Sequence, residues 1–144
     1  MSLLDFRLPD PPQIWLIVFI DPPAPPPGAA LPNRLLHHAL CLLRPGFRHV
    51  LAVSPLQTGW LVCNPGSCTL TLGVVRDADV LPPLMTAIRS GSASSIAVLA
   101  RQPARVRLRG LFTCVNVIAH LTGIDCHPFT TPHGLHRRIA AMRP

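Results

Sequence analysis

Three side chains in this sequence could do chemistry together: Cys114 in "RLRGLFTCVNVIAHLTGI", His49 in "FRHVLAV" and Asn64 in "GWLVCNPGS". A cysteine attacks as its thiolate, and the unpaired N–H groups and dipole of a helix start stabilise that anion. "GLFTCVNVIAHL" puts Cys114 in the first turn of an amphipathic helix, with Thr113 or a neighbour as its cap. Val117, Ile118 and Leu121 follow at helical spacing, so Cys114 shares the face expected to meet a sheet. His49 stands at the head of an apolar strand and is the candidate base. Asn64, at the end of the adjoining hairpin strand, is placed to hold one ring nitrogen and leave the other for the thiol. Cysteine, histidine and asparagine then serve as nucleophile, base and orienter, and the helix start offers N–H groups to an oxyanion. Each residue also has a plainer role. Free cysteine is among the most buried residue types, and a strand histidine is commonly only a packed or hydrogen-bonded side chain.

The elements that would position these residues are readable from apolar periodicity. "QIWLIVFI" is a continuous apolar run bounded by proline and reads as a buried strand. The proline-rich span from Asp21 to Pro32 reads as a stiff irregular connector. "NRLLHHALCLLRPG" has helical spacing, with Asn33 as cap and Pro45-Gly46 as stop. "FRHVLAVSP" and "GWLVCNPGS" form a hairpin across "LQTG", and "CTLTLGVV" extends it. "DVLPPLMTAIRSGS" contains a short helix with its prolines near the first turn. "SSIAVLA" and "ARVRLRG" read as strands, "LFTCVNVIAHLTGI" as a helix ended by Gly123, and "TPHGLHRRIAAM" as a last helix capped by Thr131. The expected fold class is α+β: a mainly antiparallel sheet packed against helices, in a single domain spanning 1–144. Within it, 1–32 is a strand plus proline-rich extension, 33–124 the core and 125–144 a C-terminal helix.

Composition narrows the chemistry further. The chain has 144 residues and a net charge of +7; its acidic residues are all Asp and its basic residues all Arg. Without Glu, Lys or Tyr, and with six scattered aspartates, paired-carboxylate and Schiff-base mechanisms have little to draw on. The nucleotide-binding, dinucleotide-binding, serine-esterase and zinc-protease motifs are all missing. Five cysteines, an odd number, together with an N-terminus unlike a signal peptide, lead to the expectation of reduced thiols in the cytoplasm. Cys63 and Cys68 have no matching second pair, so neither a metal nor any other cofactor is expected. The positive charge suits an anionic partner. "RQPARVRLRG" would present Arg105, Arg107 and Arg109 on one strand face, but scarce aromatic residues make nucleic acid the lesser expectation.

The order of these pieces carries a resemblance. "FRHVLAV", then "GWLVCNP", then "LFTCVNVIAHLTGI" resembles the circularly permuted papain-like cysteine hydrolases, of the NlpC kind and similar to lecithin–retinol acyltransferase, over Phe47 to Ile124. The resemblance implies a papain-like core in permuted order. It also implies a bacterial thiol hydrolase or acyltransferase acting on an amide or ester of a peptide, a peptidoglycan stem or a lipid, through Cys114, His49 and Asn64. Such a protein would act inside the cell or be delivered by other machinery, such as a phage-like particle. The alternative is a non-catalytic binding or structural module whose Arg strand contacts an anionic partner such as nucleic acid.

Overall fold

The computed structural model describes residues 13–66, 69–100, 113–127 and 129–142. Among them, five strands form one antiparallel sheet in the order β4-β3-β2-β1-β5. The strands are β1 (Ile14–Ile20), β2 (His49–Leu56), β3 (Gly59–Pro65), β4 (Leu70–Val75) and β5 (Ala93–Leu99). The helices are α1 (Leu31–Cys41), α2 (Asp77–Arg89), α3 (Cys114–Thr122) and α4 (Pro132–Ala141). The fold is α+β, as expected.

The apolar run "IWLIVFI" becomes β1, hydrogen-bonded to β2 on one side and β5 on the other. A strand buried on both faces has no reason to alternate polar residues, which explains the unbroken run. Trp15, Ile17 and Phe19 point into the larger core with Val115, Ile118 and Ala119 of α3 and Leu135 and Ile139 of α4. Val18, with Leu16 and Ile20 at its margin, meets Leu84, Ala87 and Ile88 of α2 on the opposite face. The sheet is thus sandwiched between α3 and α4 on one side and α2 on the other. A buried polar latch aligns β1 with β2: the Ser54 hydroxyl donates to the Ile14 carbonyl at 2.7 Å and accepts from Gln13 Nε2 at 3.0 Å.

The β2–β3 hairpin turns on Gln57 and Thr58, pairing Leu56 with Gly59 and, further along, Ala52 with Cys63. Gly59 has φ +144°, and a Cβ there would strike the Val75 carbonyl of β4, so only glycine closes this turn beside its neighbour. α3 and α4 begin as expected. The hydroxyl of Thr113 accepts from Asn116 N at 3.2 Å, and that of Thr131 from Gly134 N at 3.1 Å. Gly123 ends α3 in the left-handed conformation at φ 69°.

Two helices differ from expectation. α1 starts at Leu31, within the span read as connector, because Pro32 is compatible with a first turn; its N-cap, Ala30, makes no side-chain cap. It stops at Cys41 rather than Pro45, and a turn closed by Phe47 N on the Arg44 carbonyl at 3.0 Å leads toward β2. The residue before a proline disfavours helical backbone, so the chain leaves the helix ahead of Pro45. α2 is thirteen residues long and holds Pro82 and Pro83 inside it. Pro82 and Pro83 have no N–H to give the carbonyls of Ala78 and Asp79, and both of those residues are exposed, where water can serve them. Asp77 and Asp79 in the first turn favour the positive end of the helix dipole. The expected Arg strand (Arg105, Arg107, Arg109) lies outside the described residues, as does Cys68. Among the described residues, no helix is long and apolar enough to cross a membrane.

Ile118, fully buried between α3 and the sheet, is the test of this packing. Ile118→Ala should lower the urea-unfolding free energy by about 2–5 kcal/mol, whereas Leu35→Ala on exposed α1 should change it by about 0.5 kcal/mol or less.

Candidate active site

His49 is the first residue of β2 and Asn64 the last but one of β3. Continuing the hairpin register one pair beyond Ala52 and Cys63 sets Leu51 opposite Asn64. His49, two residues from Leu51, is then the diagonal neighbour of Asn64 on the same sheet face. Their side chains meet: His49 Nε2 lies 2.8 Å from Asn64 Oδ1. An amide oxygen can only accept, so Nε2 carries the proton, and in the neutral ring Nδ1 is the nitrogen with a free lone pair. The hydrogen bond therefore selects the tautomer as well as the ring orientation.

Cys114 is the first residue of α3, directly after the Thr113 cap. Its sulfur is met by the backbone N–H groups of Val50, Val115 and Cys114 itself, each of which favours the thiolate. Burial opposes them and is the larger effect, so the thiol is pushed above its ordinary value. The helix start was expected to sharpen this nucleophile. The structure instead holds a half-buried thiol that is protonated at neutral pH, because desolvating the anion costs more than those amides return.

The placement of the three residues follows from strand alternation. Val50 packs in the core beneath α3, where Cys114 also packs. His49 alternates to the other face, with its β1 partner Ile20 and with Leu51, which belong to the α2 side. The Val50 amide, one residue from His49, favours the Cys114 thiolate, against the larger effect of burial. The structure thus joins His49 to Asn64 on the α2 face of the sheet but packs Cys114 on the opposite face, so the expected meeting of thiol and imidazole is not formed; strand alternation, which turns His49 away from Val50, is the reason. No hydrogen bond links the Cys114 thiol to the imidazole among the described residues.

The Val50 amide was not foreseen. A backbone N–H has no sequence signature, and only the docking of α3 on β2 reveals it. The remaining thiols are differently placed: Cys63 is buried in the core, Cys126 half-buried and Cys41 exposed on α1, where its sulfur lies 3.7 Å from His37 Nε2. Burial raises the Cys63 and Cys126 thiols as well. Among the described residues, no group of three or more His, Cys or Asp side chains is arranged to hold a metal ion.

No family model, curated protein or solved structure matches the chain.

Iodoacetamide labelling followed by peptide mass spectrometry reads the thiol order. At neutral pH, exposed Cys41 should react first, Cys114 more slowly and Cys63 last. Burial raises the Cys114 thiol, so its labelling rate should keep climbing as pH rises past the ordinary thiol range. A Cys114 that labels fastest at neutral pH would show that the amides, not burial, dominate.

Proposed function

We propose that the chain is a papain-like thiol hydrolase or acyltransferase in permuted order, with Cys114 as nucleophile, His49 as base and Asn64 as orienter. The observation that carries this reading is the 2.8 Å hydrogen bond from His49 to Asn64, which frees Nδ1 as the basic nitrogen beside the strand position that contacts the Cys114 sulfur.

In this mechanism a substrate carbonyl enters above the start of α3. His49 stands at the first residue of β2 and is half-exposed, so its ring can pivot about the strand end to bring Nδ1 to the thiol. Contacts of this kind are often loose before substrate binds. Nδ1 takes the proton from Sγ as the sulfur bonds to the carbonyl carbon, and the C=O electron pair moves onto oxygen. Backbone N–H groups at the helix start stabilise that oxyanion. Collapse expels the amine or alcohol, which leaves with the proton from Nδ1, and an acyl-thioester remains on Cys114. Water or another acceptor then attacks it, again with His49 as base, and the thiol is restored. Asn64 holds Nε2–H in the resting state and so orients the imidazole before it turns toward the thiol. A protonated resting thiol fits a base that removes the proton only when substrate is present. The substrate classes are a peptide, a peptidoglycan stem amide and a lipid ester.

The test is acyl transfer to Cys114, followed by intact-protein mass spectrometry, on a panel of peptide p-nitroanilides, stem peptides and p-nitrophenyl esters. An acyl adduct should appear on Cys114 and be lost in Cys114→Ala. His49→Ala should slow acylation by about 10²–10⁴-fold, and Asn64→Ala should slow it less while altering the pH profile. The missing thiol–imidazole hydrogen bond favours one other reading, a non-catalytic binding module that keeps the fold. Under that reading no substrate of the panel acylates Cys114.

A further inference from the structure

The amphipathic pattern of α1 is not spent on the core. α1 contains no buried residue, and its leucines Leu31, Leu35 and the C-cap Leu42 are 65, 60 and 89% exposed. At about 100° per residue these three lie within about 40° of one another around the helix, a single apolar stripe. Arg34 and His38, both exposed, lie along one side of it. The helix carries Arg34 and no acidic residue. From Pro22 to Arg76 the sequence has no acidic residue, while it carries Arg34, Arg44, Arg48 and Arg76. Asp21 engages Arg48 at 3.5 Å, while Arg34, Arg44 and Arg76 have no acidic partner among the described residues; Arg44 lies 2.7 Å from His133.

We propose that α1 is an interfacial docking helix for an anionic lipid surface. Leucines entering the acyl boundary and arginines meeting phosphate head groups would use both halves of the pattern. A nucleic acid would satisfy the charge but leave the leucines in water. A second copy would cover the leucines but bring two chains of net charge +7 together at their acid-free segments. The helix has eleven residues, about 16 Å, enough to lie in the interface and far too short to cross it. Its C-terminal end runs through the Arg44–Phe47 turn to His49, so a docked surface would sit near the candidate site. The docking does not depend on the thiol chemistry.

Co-sedimentation of the full chain with phosphatidylcholine vesicles, with and without phosphatidylglycerol, tests this. Binding should require phosphatidylglycerol, weaken as salt rises, and fall about tenfold or more in Leu31→Ser/Leu35→Ser/Leu42→Ser. Leu72→Ser, exposed on β4, and Cys114→Ser should bind as the unaltered chain does; this keeps the outcome separate from that of the acylation assay. The triple variant should melt at the same temperature as the parent, since none of the three side chains is buried. Equal binding by the triple variant, equal binding to neutral vesicles, or no vesicle binding at all would overturn the proposal. So would a clear loss of thermal stability in the triple variant, which would mean that the chain covers the stripe itself. A dimer that the triple substitution dissociates, read by light scattering, would give the stripe to a second copy instead.

Discussion

Burial of β1 on both faces is the constraint on which the rest of the structure depends. Ile17, Val18 and Phe19 are almost wholly removed from water, and they point alternately to opposite sides of the sheet. Such a strand is stable only with a neighbour along each edge and a helical layer over each face. β2 and β5 supply the edges; α3 with α4, and α2, supply the layers. Because α3 must cover Ile17 and Phe19, its first residue comes down beside the start of β2, and Cys114 reaches the Val50 amide. The candidate site is thus a consequence of core packing at one end of the sheet.

The electrostatics of Cys114 come from the same docking. A helix start in water would offer its N–H groups and dipole to a thiolate nearly unopposed. Here the side chain also packs against the core, and removal of water penalises the anion more than the three amides favour it. His49 is in the reverse position. It is half-exposed at a strand end, with one nitrogen committed to Asn64 and the other bearing the lone pair. The desolvation of Cys114 and the orientation of His49 are both set by neighbours that neither residue's local sequence decides.

α1 shows how little amphipathic periodicity says about what a helix faces. Its apolar spacing is as regular as that of α3, yet α3 buries Val115, Ile118 and Ala119 and α1 buries nothing. The difference lies in what surrounds each helix. α3 lies over the apolar centre of the sheet, whereas α1 hangs between the proline-rich connector and the turn into β2, with both faces of the sheet already covered by other helices. Its acid-free setting leaves a surface whose apolar and basic parts complement one another.

Much of the local structure could be read from residue order alone. Unbroken apolar character marked β1, the "LQTG" turn set the hairpin, and Thr113, Thr131 and Gly123 marked helix ends, because each rests on a local requirement such as a cap, a positive φ or a period. The diagonal meeting of His49 and Asn64 was likewise within reach, since a two-residue hairpin counts out its own register. Other features had no local cause. The length of α2 past two prolines depends on water reaching freed carbonyls, and the solvent-facing leucines of α1 depend on which layers were already filled. The protonation of Cys114 depends on burial by a distant strand. Residue order set the elements and the hairpin that pairs His49 with Asn64. Only the tertiary structure decided how closely the sulfur approaches them and how much water it keeps, because desolvation is a property of the neighbours that arrive, not of the residue.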